Sequence, residues 1–206
     1  MVKIGILALQ GAFIEHQQIF DKLGAETVQI RLPEHLDGLD GLVIPGGEST
    51  TIGKLATAYG LIEPLREFAK SKPTWGTCAG LIFLAKDIGA EAQPILGLMD
   101  ISVDRNAFGR QIDSFETDLS IKGLADDVPF HAVFIRAPIV KKAGDDVEIL
   151  SQLDDGGIVA VKQKHLLGTA FHPELTNDSR VHAYFYGMVK KISVYPFLPK
   201  GVEDSC

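Results

Sequence analysis

Trp75-Gly76-Thr77-Cys78-Ala79-Gly80-Leu81 sets a cysteine between two glycines, G-x-C-x-G, at the seam of two apolar segments. Residues 74–77 follow the breaker Pro73 and read as a short strand, and residues 81–88 (LIFLAKDI) read as a helix. A side chain on such a turn is expected to stand strained and exposed above the sheet edge. The flanking glycines let the chain bend sharply and let a substrate approach the backbone. A helix N-terminus favours a thiolate and offers free N–H groups to an oxyanion. Free cysteine is also among the most buried residue types, so a structural core cysteine fits the same stretch. The local pattern leaves both readings open.

On either side of this turn, strand and helix patterns alternate. Residues 3–9 form a continuous apolar run, as in a parallel strand buried on both faces. Gln10-Gly11 turns the chain, and residues 12–23 carry apolar side chains at helical spacing, closed by Gly24. Residues 26–30 and 41–44 read as strands, the second running into Pro45-Gly46-Gly47-Glu48-Ser49-Thr50. Residues 51–59 and 61–70 read as helices. The alternation predicts an α/β fold, a mostly parallel central sheet with helices on both faces. Ligands of such sheets bind beyond the carboxyl ends of the strands, which puts Gln10, Gly46-Gly47 and Cys78 on one rim. Residues 101–103, 115–121, 130–135, 147–153, 158–162 and 166–170 are strand-like and joined by turns such as Asp154-Asp155-Gly156-Gly157. They are expected to extend the first sheet as a more antiparallel half. A final helix is expected over 180–192. Residues 1–192 thus read as a single domain, and 193–206, with Pro196, Pro199 and Gly201, as a loosely attached tail.

The totals narrow the class. A chain of 206 residues suits one sizeable core, and 46% hydrophobic with 23% charged residues is an ordinary globular composition. A net charge of −7, with no Lys/Arg cluster, argues against a nucleic-acid surface. No apolar run approaches the roughly 18 residues of a membrane span. The opening MVKIGILALQG is interrupted by glycine and reads as a first strand, not a signal peptide. The two cysteines, Cys78 and Cys206, make no disulfide framework and suit a reducing cytoplasm.

A cysteine nucleophile needs a base and a group that orients it. His172 follows a buried-type strand and has Glu174 two residues on. In extended chain those two side chains point the same way, so Glu174 can hold the ring in its productive tautomer, with Pro173 stiffening the link. Taken alone, H-P-E also fits a surface loop with an ordinary His–Glu pair. His16 lies on a helix and His35, His131 and His165 near turns or strand ends, and each reads as structural or solvated. No two histidines have metal-ligand spacing with Cys78, so neither a metal nor a cofactor is expected. Gly46-Gly47 can present N–H groups which, with that of Ala79, would make an oxyanion hole; such a donor is worth roughly 3–4 kcal/mol in acyl transfer. A plain tight turn is the other reading. Arg105 is placed either to clamp a substrate carboxylate or to decorate a solvated loop. Ile135-Arg136-Ala137-Pro138 ends a strand and could frame the same pocket. The chain has neither G-x-x-x-x-G-K-[ST] nor G-x-G-x-x-G, which weakens a phosphate-binding reading.

The order G-T-C-A-G elbow, then H-P-E, with P-G-G ahead of both, resembles the class I (triad) glutamine amidotransferases. Further blocks resemble one branch of them, the glutaminase subunits of pyridoxal 5′-phosphate synthase. These are Leu9-Gln10-Gly11, Pro45-Gly46-Gly47-Glu48-Ser49-Thr50-Thr51, Arg105-Asn106-Ala107-Phe108-Gly109-Arg110-Gln111 and Phe134-Ile135-Arg136-Ala137-Pro138. The resemblance implies a three-layer, flavodoxin-like fold. It implies that Cys78 attacks glutamine, that His172 oriented by Glu174 manages the protons, and that Gly47 and Ala79 hold the oxyanion. Gly46, Gly47, Glu48, Ser49, Arg105, Ile135 and Arg136 would line the L-glutamine site, with Arg105 toward the α-carboxylate. Ammonia would pass to a separate synthase (lyase) subunit in a cytoplasmic hetero-oligomer. Docking of that subunit would complete the oxyanion hole, with Gln10 facing the partner. A glutaminase for another pathway, such as imidazole glycerol phosphate synthesis, shares the elbow and H-P-E; the block at 105–111 argues against it. A non-catalytic interaction module and a stand-alone cysteine hydrolase on the same fold are the remaining alternatives.

Overall fold

Ten strands pair into one mixed sheet, and the turn at Cys78 lies in its parallel half. The computed structural model describes residues 1–89, 92–105 and 114–194. In chain order it runs β1 (Lys3–Leu7), α1 (Phe13–Lys22), β2 (Glu26–Ile30), β3 (Gly41–Ile44), α2 (Ser49–Ala58), α3 (Ile62–Ala69), β4 (Thr74–Thr77), α4 (Ala79–Leu84) and β5 (Ala85–Asp87). It continues through β6 (Met99–Asp104), β7 (Ser114–Leu119), β8 (Phe130–Ile135), β9 (Ile139–Ala143), β10 (Glu148–Gln152), β11 (Ile158–Gln163), β12 (Leu166–Thr169) and α5 (Arg180–Val194). The strand order is β2-β1-β3-β4-β12-β11-β9-β6-β5, with β10 paired to β11.

From β2 to β12 every pairing is parallel, and the pairings of β11 with β12, β10 and β9, and of β6 with β9, are antiparallel. The change of direction falls where the sequence pattern changes. β3, β4 and β12 are buried at every position, so both faces need apolar or small residues. β6 alternates buried and half-buried positions, the pattern of a strand with one face toward the core. Trp75, Phe20 and Phe185 pack edge-on or tilted against one another between β4, α1 and α5. Those rings fill one face of the parallel half, and aromatic side chains dominate such cores.

The structure departs from the sequence expectation in three places. The helix expected over 81–88 ends at Leu84, because Ala85 turns extended at φ −63°, ψ 146°. Residues 85–87 pair with β6 instead, and Asp87 accepts a hydrogen bond from Ser102 at 2.7 Å. The strands expected at 115–121 and 130–135 form their own two-stranded ribbon, β7–β8, rather than extending the sheet. Phe115 and Phe134 stack at 4.5 Å within that ribbon, and Phe134 packs on Phe171 at 5.7 Å, which seats it beside the end of β12. The strand β9 was not expected. Residues 106–111 and the tail 195–206, including Cys206, lie outside the described residues.

Two glycines let the elbow close. A Cβ on Gly80 would lie 2.0 Å from the Ile44 carbonyl oxygen, and one on Gly76 2.3 Å from that of Gly80. Both obstacles are backbone, so β3, β4 and α4 meet main chain to main chain. A Cβ on Gly168 would meet side chains and no backbone, Leu81 Cδ1 at 2.4 Å and Val161 Cγ2 at 3.3 Å. Gly80→Ala is therefore expected to lower the melting temperature by on the order of 5–10 °C, and Gly168→Ala by less than half as much. Thermal unfolding of the two variants checks the contrast.

Candidate active site

Cys78 follows β4 with φ +46° and ψ −101°, a conformation that L-residues rarely adopt. Its N–H donates to Thr169 O at 2.8 Å, and its thiol points at Ile135 O, 3.8 Å away. The sequence suggested an exposed cysteine; the residue is only 6% accessible. The strained turn is present, but the ribbon end and the loop after β3 close over it.

His172 lies just beyond β12, the strand beside β4. Its N–H donates to Val133 O at 2.8 Å, so the β7–β8 ribbon helps fix it. Gly46 shows how close the ring and the thiol are. A Cβ there would lie 2.4 Å from His172 Cε1 and 3.4 Å from Cys78 Cβ. Nδ1 of His172 meets Glu174 Oε1 at 2.7 Å. The link is not made by extended chain, as the spacing suggested. His172 has φ −107° and ψ 82°, and Pro173–Leu175 form a single 3₁₀ turn that swings the carboxylate back to the ring.

Burial opposes a charge on His172, but Cys78 and Glu174 on either side of the ring outweigh it and push its pKa up to about 10. Burial alone would raise the Glu174 carboxyl; His16 and His172 facing it hold it below the usual range. His172 is thus held as an imidazolium between Cys78 and Glu174.

The loop after β3 forms the opposite wall. Gln10 Oε1 accepts the Glu48 N–H at 2.7 Å, and a Cβ on Gly47 would come within 2.2 Å of the same oxygen. Gly47 sits at φ +156°, and a Cβ on Gly11 would fall 1.7 Å from Gly46 O. The Gln10-Gly11 turn therefore clamps the loop. Glu48 caps α2, accepting from Thr50 N at 3.0 Å and from Thr51 N and Oγ1 at 2.7 and 2.6 Å. Slight desolvation works against its charge, yet these bonds lower its pKa to about 2. Arg105 donates to Thr50 Oγ1 at 3.3 Å and lies 3.9 Å from Glu48 Oε1. Ser49 is buried, its hydroxyl 3.4 Å from Gln93 Oε1, which also takes a bond from Thr50.

The structure thus brings Cys78, His172, Glu174, Gly46 and the Ile135 carbonyl together, with Ala79 opening α4 next to the thiol. Gly47, Glu48, Ser49 and Arg105 form an adjoining network, and Gln10 braces it. Ile135 is 41% accessible, and Arg136, also exposed, has φ +46°. Sequence reasoning missed Gln93 and the buried pair His16 and His182. His16 Nε2 lies 3.4 Å from Glu174 Oε2, and its Nδ1 lies 2.9 Å from His182 Nε2. No motif announces that contact. Among the described residues no group of three or more His, Cys, Asp or Glu is placed to hold a metal ion, and no helix is long and apolar enough to cross a membrane.

A strained Cys on a strand-to-helix turn, a His–Glu pair just beyond the next strand and a double-glycine loop on the other side supply the groups that cysteine-dependent acyl transfer requires. The family model for SNO glutamine amidotransferases matches residues 6–191. A pyridoxal 5′-phosphate synthase subunit PdxT of Herpetosiphon aurantiacus is 58% identical over 189 residues, covering 90% of this chain and 99% of its own. The subunit of that name in Geobacillus kaustophilus is 56% identical over 191 residues, covering 92% and 96%. A crystal structure of a glutamine amidotransferase superposes with a TM-score of 0.85 at 49% identity, over 91% of this chain and 98% of that one. The PurLQS structure from Thermotoga maritima, 15% identical with a TM-score of 0.66 over 93% and 99%, shares the fold. The chain belongs to the SNO glutamine amidotransferase family and is a glutaminase.

The histidines give the protein a defined response to pH. Burial, above all, drops His16 and His182 from 6.5 to about 3, so both are neutral in the folded state. The unfolded chain takes up those protons below pH 6.5 and the folded protein does not. Their effect is a loss of stability as pH falls from about 6.5 toward 3. His172, raised to about 10, acts in the opposite sense: its stabilisation is present below 6.5 and is lost as pH climbs through about 10. Melting temperatures are expected to fall already between pH 6.5 and 5, above the carboxylate range. Replacing His182 by Phe should flatten that slope, whatever it does to the value at pH 7.

Proposed function

We propose that Cys78, His172 and Glu174 are the catalytic triad of glutamine hydrolysis. The observation that supports this most is Gly46, whose missing side chain leaves room for the His172 ring and the Cys78 side chain on one spot, with Glu174 2.7 Å behind the ring. The Cys78 thiolate attacks the carboxamide carbon, and the carbonyl electrons move onto oxygen. The N–H groups of Gly47 and Ala79 hold that oxyanion. The tetrahedral species collapses, His172 gives its proton to the departing nitrogen, and ammonia leaves a γ-glutamyl thioester. Water then attacks the thioester while neutral His172 takes its proton. Glutamate leaves, and the thiolate–imidazolium pair is restored.

Gly46, Gly47, Ser49, Ile135 and Arg136 line the glutamine site, and Arg105 binds the α-carboxylate. Glu48 takes part through its main chain and by holding Arg105, because its carboxylate is occupied at the start of α2. The chain serves as the glutaminase subunit of pyridoxal 5′-phosphate synthase. Its ammonia passes to the separate synthase subunit within a hetero-oligomer in the cytoplasm. The partner docks on the rim at Gln10-Gly11 and acts through the clamp on the Gly47-Glu48 peptide.

Glutamate release measured with and without the synthase subunit tests this. Activity is expected to rise on adding the partner, and Cys78→Ala to abolish it by a factor on the order of 10⁶. Appreciable turnover by Cys78→Ala would overturn the triad. Arg105→Ala is expected to raise the KM for glutamine about 10–100-fold, the weight of one charge-assisted hydrogen bond, with a smaller effect on kcat.

A further inference from the structure

Behind the triad lies a polar pair that the reaction scheme leaves without a role. His16, on α1, and His182, on α5, are both fully buried. His16 stands edge-on to Trp75 at 5.4 Å, and His182 edge-on to Trp75 and Phe20 at 5.0 and 5.1 Å. Polar rings in such surroundings are costly unless their nitrogens are satisfied, so their placement needs a reason.

The reason lies in what each nitrogen faces. Glu174 Oε1 is taken by His172. Its other oxygen, Oε2, is buried and makes no well-formed hydrogen bond. What faces it is His16 Nε2 at 3.4 Å, with Thr77 Oγ1 also 3.4 Å from that nitrogen. His16 Nδ1 is turned the other way, 2.9 Å from His182 Nε2.

Both rings are neutral, so each carries one N–H. Two arrangements fit the 2.9 Å contact. If His16 donated from Nδ1, its Nε2 lone pair would face a carboxylate oxygen with only the Thr77 hydroxyl to meet it, and His182 would keep a buried, unpaired Nδ1–H. If His182 donates from Nε2, His16 accepts at Nδ1 and presents Nε2–H to Glu174. This second arrangement leaves His182 Nδ1 as a bare acceptor, and that atom is buried without a partner. An unpaired lone pair is tolerated better than an unpaired buried N–H.

We propose that His16 is a positioning residue for glutamine hydrolysis: its Nε2–H holds the second oxygen of Glu174, and His182 selects the tautomer that makes this possible. The inference rests on the triad assigned above. With Oε2 held, the carboxylate cannot rotate about its own axis, and Oε1 stays aimed at His172. The line of contact runs His182, His16, Glu174, His172, Cys78, from the core to the reacting sulfur. His16 touches neither substrate nor thiol, so its contribution falls on kcat and not on glutamine binding. It also sets how firmly Glu174 supports the His172 imidazolium. The other ionisable groups bearing on His16 are Glu174, His172 and His182.

The test compares His16→Leu and His16→Gln, assayed as complexes with the synthase subunit. Leucine fills the space without a donor, and the glutamine amide can put an N–H near the place of Nε2. His16→Leu is expected to lower kcat about 10–100-fold, with KM for glutamine changed less than about threefold, the usual scale for an outer partner of a catalytic group. The limb of the kcat–pH profile that reports His172 should move to lower pH. His16→Gln should recover kcat to within about threefold. Folded His16→Leu with wild-type kcat and pH profile would overturn the inference, as would equal losses in both variants that track their melting temperatures. Should His16→Leu fail to fold, His182→Phe decides, since phenylalanine suits the cluster of Phe20, Trp75 and Phe185 and removes only the donor to His16. A lowered kcat at unchanged KM supports the relay, and an unchanged kcat refutes it. Cys78→Ala separates the two levels. If that variant is inactive while His16→Leu is fully active, only the role of His16 falls. If Cys78→Ala turns over, the triad itself falls.

Discussion

The constraint on which the rest depends is the backbone of Cys78. A non-glycine residue at φ +46° costs on the order of 1–3 kcal/mol, and it persists only where its surroundings over-determine it. Here the N–H is tied to Thr169 on the neighbouring strand, and every residue of α4, Ala79 to Leu84, is buried. Gly80 lies directly on the Ile44 carbonyl. These contacts come from β3 and β12, the two strands flanking β4. The same strands run on into the double-glycine loop and into His172. Three adjacent parallel strands therefore deliver the double-glycine loop, Cys78 and His172 side by side, and β1, next in line, delivers Gln10. The site is a consequence of strand order.

Histidines in this small region are driven to opposite ends of the scale by what faces them. Burial acts on His172 as it does on His16, yet His172 is raised and His16 lowered. His172 has an acid on each side. His16 has one carboxylate, already paired with His172, and a second neutral histidine. Titratable neighbours whose environments push them apart mark the acid–base division of labour in a site. In this case one ring lies between two acids and the other beside a carboxylate that is already paired.

The parallel half was legible in the chain because strands buried on both faces must read as apolar runs. The ends of β2, β3 and β4 fall where the pattern puts them. The antiparallel half was less so. Residues 81–88 are helical in pattern throughout, and only the tertiary pairing of Ala85 and Asp87 with β6 pulls the last of them into a strand. Residues 139–143 (IVKKA) carry two lysines just after a proline, and they become a strand by lying between β6 and β11. The alternation in β7 and β8 marks each as one-faced without saying which surface covers the inner face. At the site, residues carried by short motifs were legible: the elbow, the glycine pair, H-P-E. His16 was not, since its meaning depends on a carboxylate far away in the chain. Glu48 was legible as part of the site, but its role as a helix cap depends on the geometry of α2.

The two walls of the site differ in how they are held, and this bears on where a partner can act. The wall that carries Cys78 and His172 is fixed from within, by main-chain bonds to Thr169 and Val133 and by buried rings. Moving it would mean disturbing the core. The wall formed by the loop after β3 is a chain of side-chain hydrogen bonds, exposed from Gln10 to Glu48 and part-buried from Thr50 to Gln93 and Arg105. Exposed bonds of that kind exchange readily with water or with another protein, and low local stability is where regulation is drawn from. The Glu48 N–H is the clearest case. Its partner, Gln10, is a single side chain on the outer rim, and the peptide it holds is the one joined to Gly47. A protein that draws Gln10 away releases that peptide to reorient without touching Cys78, His172 or Glu174. Cys78, His172 and Glu174 can then stay in place while the loop after β3 changes.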